Sequence, residues 1–548
     1  MRFSKKMIIF ALHVRHEVVK IVDMNTTERN LPVGIQDFEK LRTENCLYVD
    51  KTRYIDELTR ISRPYFLGRP RRFGKSLFIS TLKAFFLGKK HLFEGLVVAD
   101  REKDWITYPV IYIDFNTGAN DSLQSVKILL TAMLDRYESE WGITEKYDDL
   151  AVRFSRLIKT AYQKSGLKVV VLVDEYDKAL INTMDDSDLN NELLKFLKGF
   201  YGVLKGMDYC LRFVFLTGVT KFAKVSVFSD LNQLIDISLD EQYAGICGIS
   251  ETELLQYFTP EIAALARKQE ISFDATFAKM KKRYDGYRFT EKGDDMYNPF
   301  SVLRVFYSMK FGYYWFETGT PTFLVNTLKD SLYDIRKFDN DVTIAARLID
   351  NYRVGETSLT PLLYQSGYLT IKSYNAMTNA YTLGFPNEEV KYGFLDELLP
   401  AYIPKWGLDE SFSILAFLDA FQSGDVDDFM TLLKAYFAAI PYDLEQNRDK
   451  DEKYYQLILY LLFINVGQFI HTEVKSAKGR ADIVVKTADS IYVIELKMEA
   501  SGTAEDALAQ IDKTGYLIPY TPDDRRLVKI GVELSIEERG IKRWLWVL

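Results

Sequence analysis

Asp482, Glu495 and Lys497 are the residues whose types and spacing point most directly to chemistry. They lie in 479–497, GRADIVVKTADSIYVIELK, where two β-rich runs adjoin. Strand side chains alternate with period two, so Glu495 and Lys497 are expected on one face and Leu496 on the other. Asp482 and Glu495 would offer hard oxygen ligands to a small divalent cation, Mg²⁺ or Mn²⁺ in its place. Lys497 would orient a water or offset charge developing on a phosphate. Together they form a residue set for metal-dependent phosphodiester hydrolysis.

A second set lies near the other end of the chain. The run YFLGRPRRFGKSLFIS (65–80) passes from an apolar strand through a basic turn into a helix. Phosphate binding at such a turn needs backbone N–H groups around the phosphates, a lysine for the β/γ oxygens, a hydroxyl for Mg²⁺ and a helix N-terminus behind them. Gly74, Lys75 and Ser76 supply the second half of that pattern. Strict spacing would put the first glycine at position 69, which is Arg69; Gly68 stands one residue earlier. Arg71 and Arg72, crowded with Arg69 beside Lys75, suit a triphosphate, although a nucleic-acid phosphate or a carboxylate such as Asp50 could take them instead. No residue can be named as an arginine finger.

KVVVLVDEYD (168–177) is a continuous apolar run ending in acids, the pattern of a buried parallel strand that delivers carboxylates at its C-terminal edge. Asp174 would hold Mg²⁺ and Glu175 would polarise an attacking water. PVIYIDF (109–115) reads as another buried strand, ending in Asp114. LRFVFLTGVTKF (211–222) reads as a fourth, whose terminal Thr217 could sense a γ-phosphate; Lys221 and Lys224 beyond it read as solvated loop residues before phosphate sensors.

The elements that must position the first set are a helix over 452–466, the two strands, and a helix over 503–513. In the first helix Glu452 and Gln456 share a polar stripe while Tyr455, Leu459, Leu462 and Phe463 form an apolar face, so Glu452 could complete the metal site. Glu473 is a competing acid. Lys475, Lys478 and Arg480 could hold a nucleic-acid backbone or stand as solvated strand-edge charges. Between the two sets, helical patterns run from Glu251 to about Ile349. The aromatic cluster FGYYWFETG (311–319) reads as core, and 361–399 reads as a winged-helix-like module without a dense basic face.

Residues 405–525 resemble the PD-(D/E)XK nuclease superfamily. The resemblance implies Asp482 and Glu495 as metal ligands, Lys497 as catalytic lysine, Glu452 as the first-helix acid and Gln510 as a supporting polar residue. Nearly the whole chain resembles an AAA-ATPase-like domain joined to such a nuclease in bacterial proteins. The motifs that carry this are LPVGIQDFEKLR (31–42), YVDKT (48–52), RPRRFGKSL (69–77), VDEYDKAL (173–180), TGVTKF (217–222), YDGYRF (284–289), YNPFSVL (297–303) and GRADIVV (479–485). The resemblance implies ATP as cofactor and makes the displaced glycine a family trait. The fold expected is multidomain α/β: an extension over 1–30, a P-loop parallel sheet with flanking helices over 31–248, a helical and winged-helix-like middle over 249–404, and a restriction-endonuclease-like α/β domain over 405–548.

The chain's 548 residues exceed what one core usually supports. Its net charge of −7 leaves nucleic-acid binding to local basic patches. Cys46, Cys210 and Cys247 are scattered and odd in number, and the four histidines form no zinc pattern, which favours a reduced, cytoplasmic protein. MIIFAL near the N-terminus is too short for a signal-peptide core, and residues 1–23 read as an extension or a start-site artefact. The apolar run around 454–470 carries Gln456, Asn465 and Gln468 and reads as a packed helix, so no membrane partner is expected. The expected partner is nucleic acid, DNA ahead of RNA, and a homo-oligomer is compatible with the sequence. The overall expectation is an ATP-dependent or ATP-regulated nuclease in defence, repair or mobile-element biology. The alternative is a nucleotide-switched binding protein with a non-cleaving nuclease fold, and an ATPase that remodels protein partners stands third.

Overall fold

Val169–Asp174 is buried at every position because it lies inside a parallel sheet covered on both faces. A computed structural model gives the architecture around it. It describes residues 30–221, 227–228, 233–318, 324–325, 328, 335–338, 342–349, 359–402, 414–438, 452–466, 481–487, 489–538 and 540–548. These fall into two compact units, one within Met1–Glu317 and Asn340–Glu389, the other within Thr318–Asp339 and Val390–Leu548.

The first unit is built on five parallel strands: β1 (Pro64–Gly68), β2 (Val110–Asp114), β3 (Val169–Asp174), β4 (Leu211–Gly218) and β5 (Ile235–Asp236). Their order is β2-β3-β4-β1-β5, with every pairing parallel. β1 therefore sits between β4 and β5, so that the loop leaving β1 opens beside the ends of β3 and β4. β2 alternates buried and half-buried because it is an edge strand, where a fully buried one was expected. Helix α1 (Lys75–Phe86) follows β1 and turns Phe78, Ile79, Leu82 and Phe86 into the core. α2 (Leu123–Glu140), α3 (Leu150–Ser165) and α4 (Ser187–Gly206) start at Ser122, Asp149 and Asp186, whose side chains accept first-turn N–H groups.

Three helices follow, α5 (Glu251–Lys268), α6 (Phe273–Tyr284) and α7 (Pro299–Ser308). The helical reading of the middle overreaches beyond them, for Val342–Ala345 forms a strand, β6, whose β-branched residues pair with a hairpin. The hairpin strands β7 (Thr370–Asn375) and β8 (Ala380–Gly384) lie between α8 (Thr360–Ser366) and α9 (Glu388–Tyr402), the helix–strand–strand–helix order of the winged-helix-like reading. Trp315 is buried against Phe316 and Tyr368, in core as its cluster suggested.

In the second unit α10 (Ile414–Ser423), α11 (Val426–Ala438) and α12 (Glu452–Val466) precede a four-stranded sheet of order β9-β10-β11-β12. β9 (Ile483–Lys486) and β10 (Ser490–Met498) are antiparallel. β10 runs parallel to β11 (Arg526–Ser535) through the crossover helix α13 (Ala504–Thr514), and β12 (Gly540–Val547) returns antiparallel. α12 buries Tyr455, Leu459, Leu462 and Phe463 as its periodicity predicts. Among the described residues no helix is long and apolar enough to cross a membrane.

Candidate functional site

The loop between β1 and α1 ends at Gly74, whose φ of +91° is open to glycine and strained for other residues. A Cβ there would meet nothing within 4 Å, so the backbone is open on that side of Gly74. Lys75 is buried, and its Nζ donates to the Arg69 and Pro70 carbonyls of its own loop at 3.0 and 3.1 Å. Gly68 closes β1, its N–H on Ser238 Oγ at 2.8 Å.

Asp174, at the end of β3, is fully buried. Its Oδ1 accepts the Thr217 hydroxyl from the end of β4, its Oδ2 accepts Asn116 Nδ2 at 3.2 Å, and the Ser76 hydroxyl bonds the same carboxylate. Burial pushes this carboxyl up to about 6, against the opposing pull of those hydroxyls and Lys75. Glu175 follows at φ +52°, a strained turn that takes its side chain off the strand line; its N–H rests on Thr217 Oγ1 at 3.3 Å and its carboxylate lies 3.6 Å from Lys178 Nζ. Ser76, Asp174 and Thr217 are thus brought together, with Lys75 and Glu175 beside them.

The arginines part company. Arg69 is buried, donating to the carbonyls of Gly68, Ser238 and Tyr243, and its guanidinium lies 4.2 Å from the Phe289 ring centre. Arg72 donates to the Tyr314 carbonyl at 2.9 Å. Arg71 is half-buried and makes no side-chain hydrogen bond or ion pair among the described residues. Among the described residues Asp50 takes no arginine: it accepts Thr52 and Val97 instead. Lys221 is not a solvated loop residue, being buried with its Nζ 3.2 Å from Asp236. Lys224 lies outside the described residues.

Asp177, the third acid of DEYD, has no role in the local sequence pattern. It is fully buried and accepts Val219 N, Thr220 N and Thr220 Oγ1 at 3.0, 2.6 and 2.6 Å, so it shapes the turn after β4. Asn116, two residues past Asp114, was likewise missed; a short polar side chain just beyond a strand-end acid was the available signal.

In the second unit Asp482 stands one residue before β9. Its Oδ2 accepts the Leu496 N–H of β10 at 2.7 Å, and its Oδ1 accepts Gln456 Nε2 of α12 at 2.8 Å. Glu495 is only 2% exposed. Its Oε1 accepts Gln510 Nε2 from α13 and lies 3.5 Å from Lys497 Nζ, while its buried Oε2 has no hydrogen-bond partner among the described residues. Burial first, then the charge of Asp482, pushes Glu495 up to about 7, with Lys497 pulling the other way. Leu496 is buried on the opposite face, as the alternation predicts. An orphaned buried carboxylate oxygen beside a second carboxylate fits a divalent cation.

Among the described residues no three His, Cys, Asp or Glu side chains converge. Glu452 opens α12, but its side chain is outside the described set, as are Glu473, Lys475, Lys478 and Arg480. Gln456, noted in the sequence only as part of a polar stripe, is the residue whose contact the stripe foreshadowed. α13 reaches the site because Gly531 on β11 has no side chain: a Cβ there would come 2.2 Å from the Ala504 carbonyl oxygen.

Comparison with known proteins follows the two units. Residues 32–228 match the family model described as a predicted AAA-ATPase, and residues 450–544 match that of the PD-(D/E)XK nuclease superfamily. Over 528 residues the chain is 36% identical to an "uncharacterized protein in vnfD 5'region" of Azotobacter chroococcum mcd 1, covering 94% of this chain and 98% of that protein. Among solved structures, Aeropyrum pernix ORC2 in its ADPNP–ADP complexes aligns with 69% of this chain and 98% of that one, at 12% identity and a TM-score of 0.23, too low to carry an argument.

Proposed function

Because the chain belongs to the family in which a predicted AAA-ATPase domain is joined to a PD-(D/E)XK nuclease superfamily domain, we propose that it is an ATP-regulated, divalent-metal-dependent nuclease acting on nucleic-acid phosphodiesters, DNA ahead of RNA. The observation that carries this reading is Glu495: a buried carboxylate with an orphaned oxygen, the charge of Asp482 acting on it, and Lys497 at 3.5 Å. Holding a buried acid beside a second, half-buried one is costly without a cation between them.

Asp482 and Glu495, with Glu452 from the start of α12, would hold Mg²⁺ or Mn²⁺. Such an ion, when bound, activates a water and offsets charge on the phosphate. Lys497 places a positive charge beside the same carboxylate, where it can orient a nucleophile, and Gln510 and Gln456 fix the rotamers of Glu495 and Asp482.

In the first unit Lys75 would exchange its loop carbonyls for β- and γ-phosphate oxygens at the N-terminus of α1, with Gly74 giving the backbone room to approach and Arg71 adding charge. Ser76 and Asp174 would hold the nucleotide's Mg²⁺, Glu175 would polarise water, and Thr217 would report the γ-phosphate. The working divisions are 31–248 for nucleotide binding, 249–404 as transmitter and 405–548 for cleavage. A role in defence, repair or mobile-element biology suits such a pairing.

The test incubates the full chain with DNA and RNA substrates and Mg²⁺ or Mn²⁺, with and without ATP, beside Glu495→Ala and Lys75→Ala. The expected result is cleavage that Glu495→Ala abolishes and that ATP alters only when Lys75 is intact. ATP turnover without cleavage under any condition would replace this reading with a nucleotide-switched binding protein.

A further inference from the structure

The phosphate loop is gripped by residues of two motifs that the nucleotide chemistry leaves without a task, YDGYRF and YNPF. Phe73, one residue before Gly74, is buried edge-on against Tyr287 and Phe289, with ring centres 4.7 and 5.3 Å away, and its carbonyl accepts Gly248 N–H at 3.2 Å. Arg72, held at φ +68°, lays its guanidinium 3.7 Å from the centre of the Phe300 ring on α7 and donates to the Tyr314 carbonyl at 2.9 Å. That carbonyl is itself fixed. Glu389, fully buried, accepts the next N–H, Trp315, at 3.0 Å and the Ser301 hydroxyl at 2.7 Å, which ties the 314–315 turn to the residue beside Phe300.

We infer that Arg72 is a positioning residue, not a phosphate ligand: through Phe300 and Tyr314 it anchors the phosphate loop to α7, so that the loop's shape and the placement of the helical middle are set together. A planar guanidinium stacked on a ring while donating in its own plane satisfies both of its binding modes at once. A left-handed backbone at a non-glycine residue persists only where surrounding contacts hold it, and here they come from this anchor. Arg71 is then the loop arginine left for nucleotide. This rests on the nucleotide-binding reading of the first unit.

The test is a titration of the full chain with fluorescent ATP and ADP analogues, using wild type, Arg72→Ala, Phe300→Leu, their double variant, Phe300→Tyr and Lys75→Ala. If Arg72 acts through the ring, Arg72→Ala and Phe300→Leu each weaken ATP and ADP by the same factor, about three- to thirtyfold. The double variant is then no weaker than the worse single, and Phe300→Tyr, which keeps a ring face, binds as wild type does. A loss in Arg72→Ala that falls on ATP far more than ADP, with Phe300→Leu unchanged, overturns the inference in favour of direct phosphate contact; so do multiplying losses, or an Arg72→Ala that binds normally. If Phe300→Leu does not fold, Arg72→Lys replaces it: a lysine that binds normally marks a charge contact, and one as weak as alanine marks the lost stack. Wild type that binds neither nucleotide, or Lys75→Ala that binds as wild type, overturns the nucleotide reading and this inference with it, and that outcome shows without reference to Arg72.

Discussion

Glu495 has one oxygen held by Gln510 and the other without a hydrogen-bond partner among the described residues, and Asp482 has one held by Gln456 and one by a backbone N–H. Amides that orient metal-binding carboxylates typically matter by about ten- to a hundredfold in metal affinity or activity. Gln510→Ala and Gln456→Ala are therefore each expected to weaken Mn²⁺ binding by about that factor while leaving ATP affinity unchanged. Calorimetric Mn²⁺ titration checks the first half and nucleotide titration the second. Glu389 belongs to the same scale. Burial pushes it up to about 7 in the folded chain, above its ordinary value of 4.5. Between those values the folded state binds a proton that the unfolded state has released, so this residue's stabilising share is complete below about 4.5 and lost as pH rises through 7. Glu389→Gln should flatten the fall in stability between pH 5 and pH 8, by an amount on the order of a few kcal/mol, measured by denaturant unfolding at the two pH values. An equal slope in wild type and variant would contradict the assigned burial.

Strand ends and one close helix–strand contact do most of the positioning. β3 and β4 deliver Asp174 and Thr217 to one point because they are paired in parallel, Val173 opposite Leu216, so that their C-terminal ends coincide. In the second unit Glu495 stands opposite Gly531 in the parallel register of β10 and β11, and that glycine admits the first turn of α13, the helix that carries Gln510. Gly531→Ala should push the helix outward, destabilise the fold by roughly 1–3 kcal/mol, and cost Mn²⁺ affinity as well. Gly199→Ala, on an exposed face of α4 where a Cβ meets nothing, should instead raise stability by up to about 1 kcal/mol. Thermal melts of both variants separate the packing explanation from a general cost of changing glycine.

Two compact units, each with its own sheet, imply that a ligand of one stabilises that one directly. Saturation with ATP–Mg²⁺ at a hundred times Kd is expected to stabilise the nucleotide-binding unit by about 2.7 kcal/mol, and Lys75→Ala should remove the effect. Calorimetry of the full chain checks this. A matching rise in the transition of the C-terminal unit would mean that the two unfold together. The net charge of −7 makes a further prediction of restraint, since with no overall positive field, polyanion binding must come from local cations and fade with salt.

Much of this is legible in the sequence, because the information is local. Period-two alternation put Glu495 and Lys497 on one face and Leu496 on the other; an apolar run ending in acids read as a buried strand; the GKS turn read as a helix start; and the apolar face of 452–466 read as core. The physics behind each acts within a few residues of chain. Tertiary structure alone decided which cations are spent on the protein itself. Arg69, Arg71 and Arg72 look alike in sequence, yet one is buried on three carbonyls, one stacks on Phe300, and one has no side-chain partner among the described residues, because, the Gly68 carbonyl apart, the carbonyls and rings that take them lie about 170 to 240 positions away along the chain. Lys221 was misread for the same reason, its partner Asp236 sitting on a strand that only folding brings beside it. Local pattern fixes which face a side chain takes; only the fold brings the partner that decides what its charge is for.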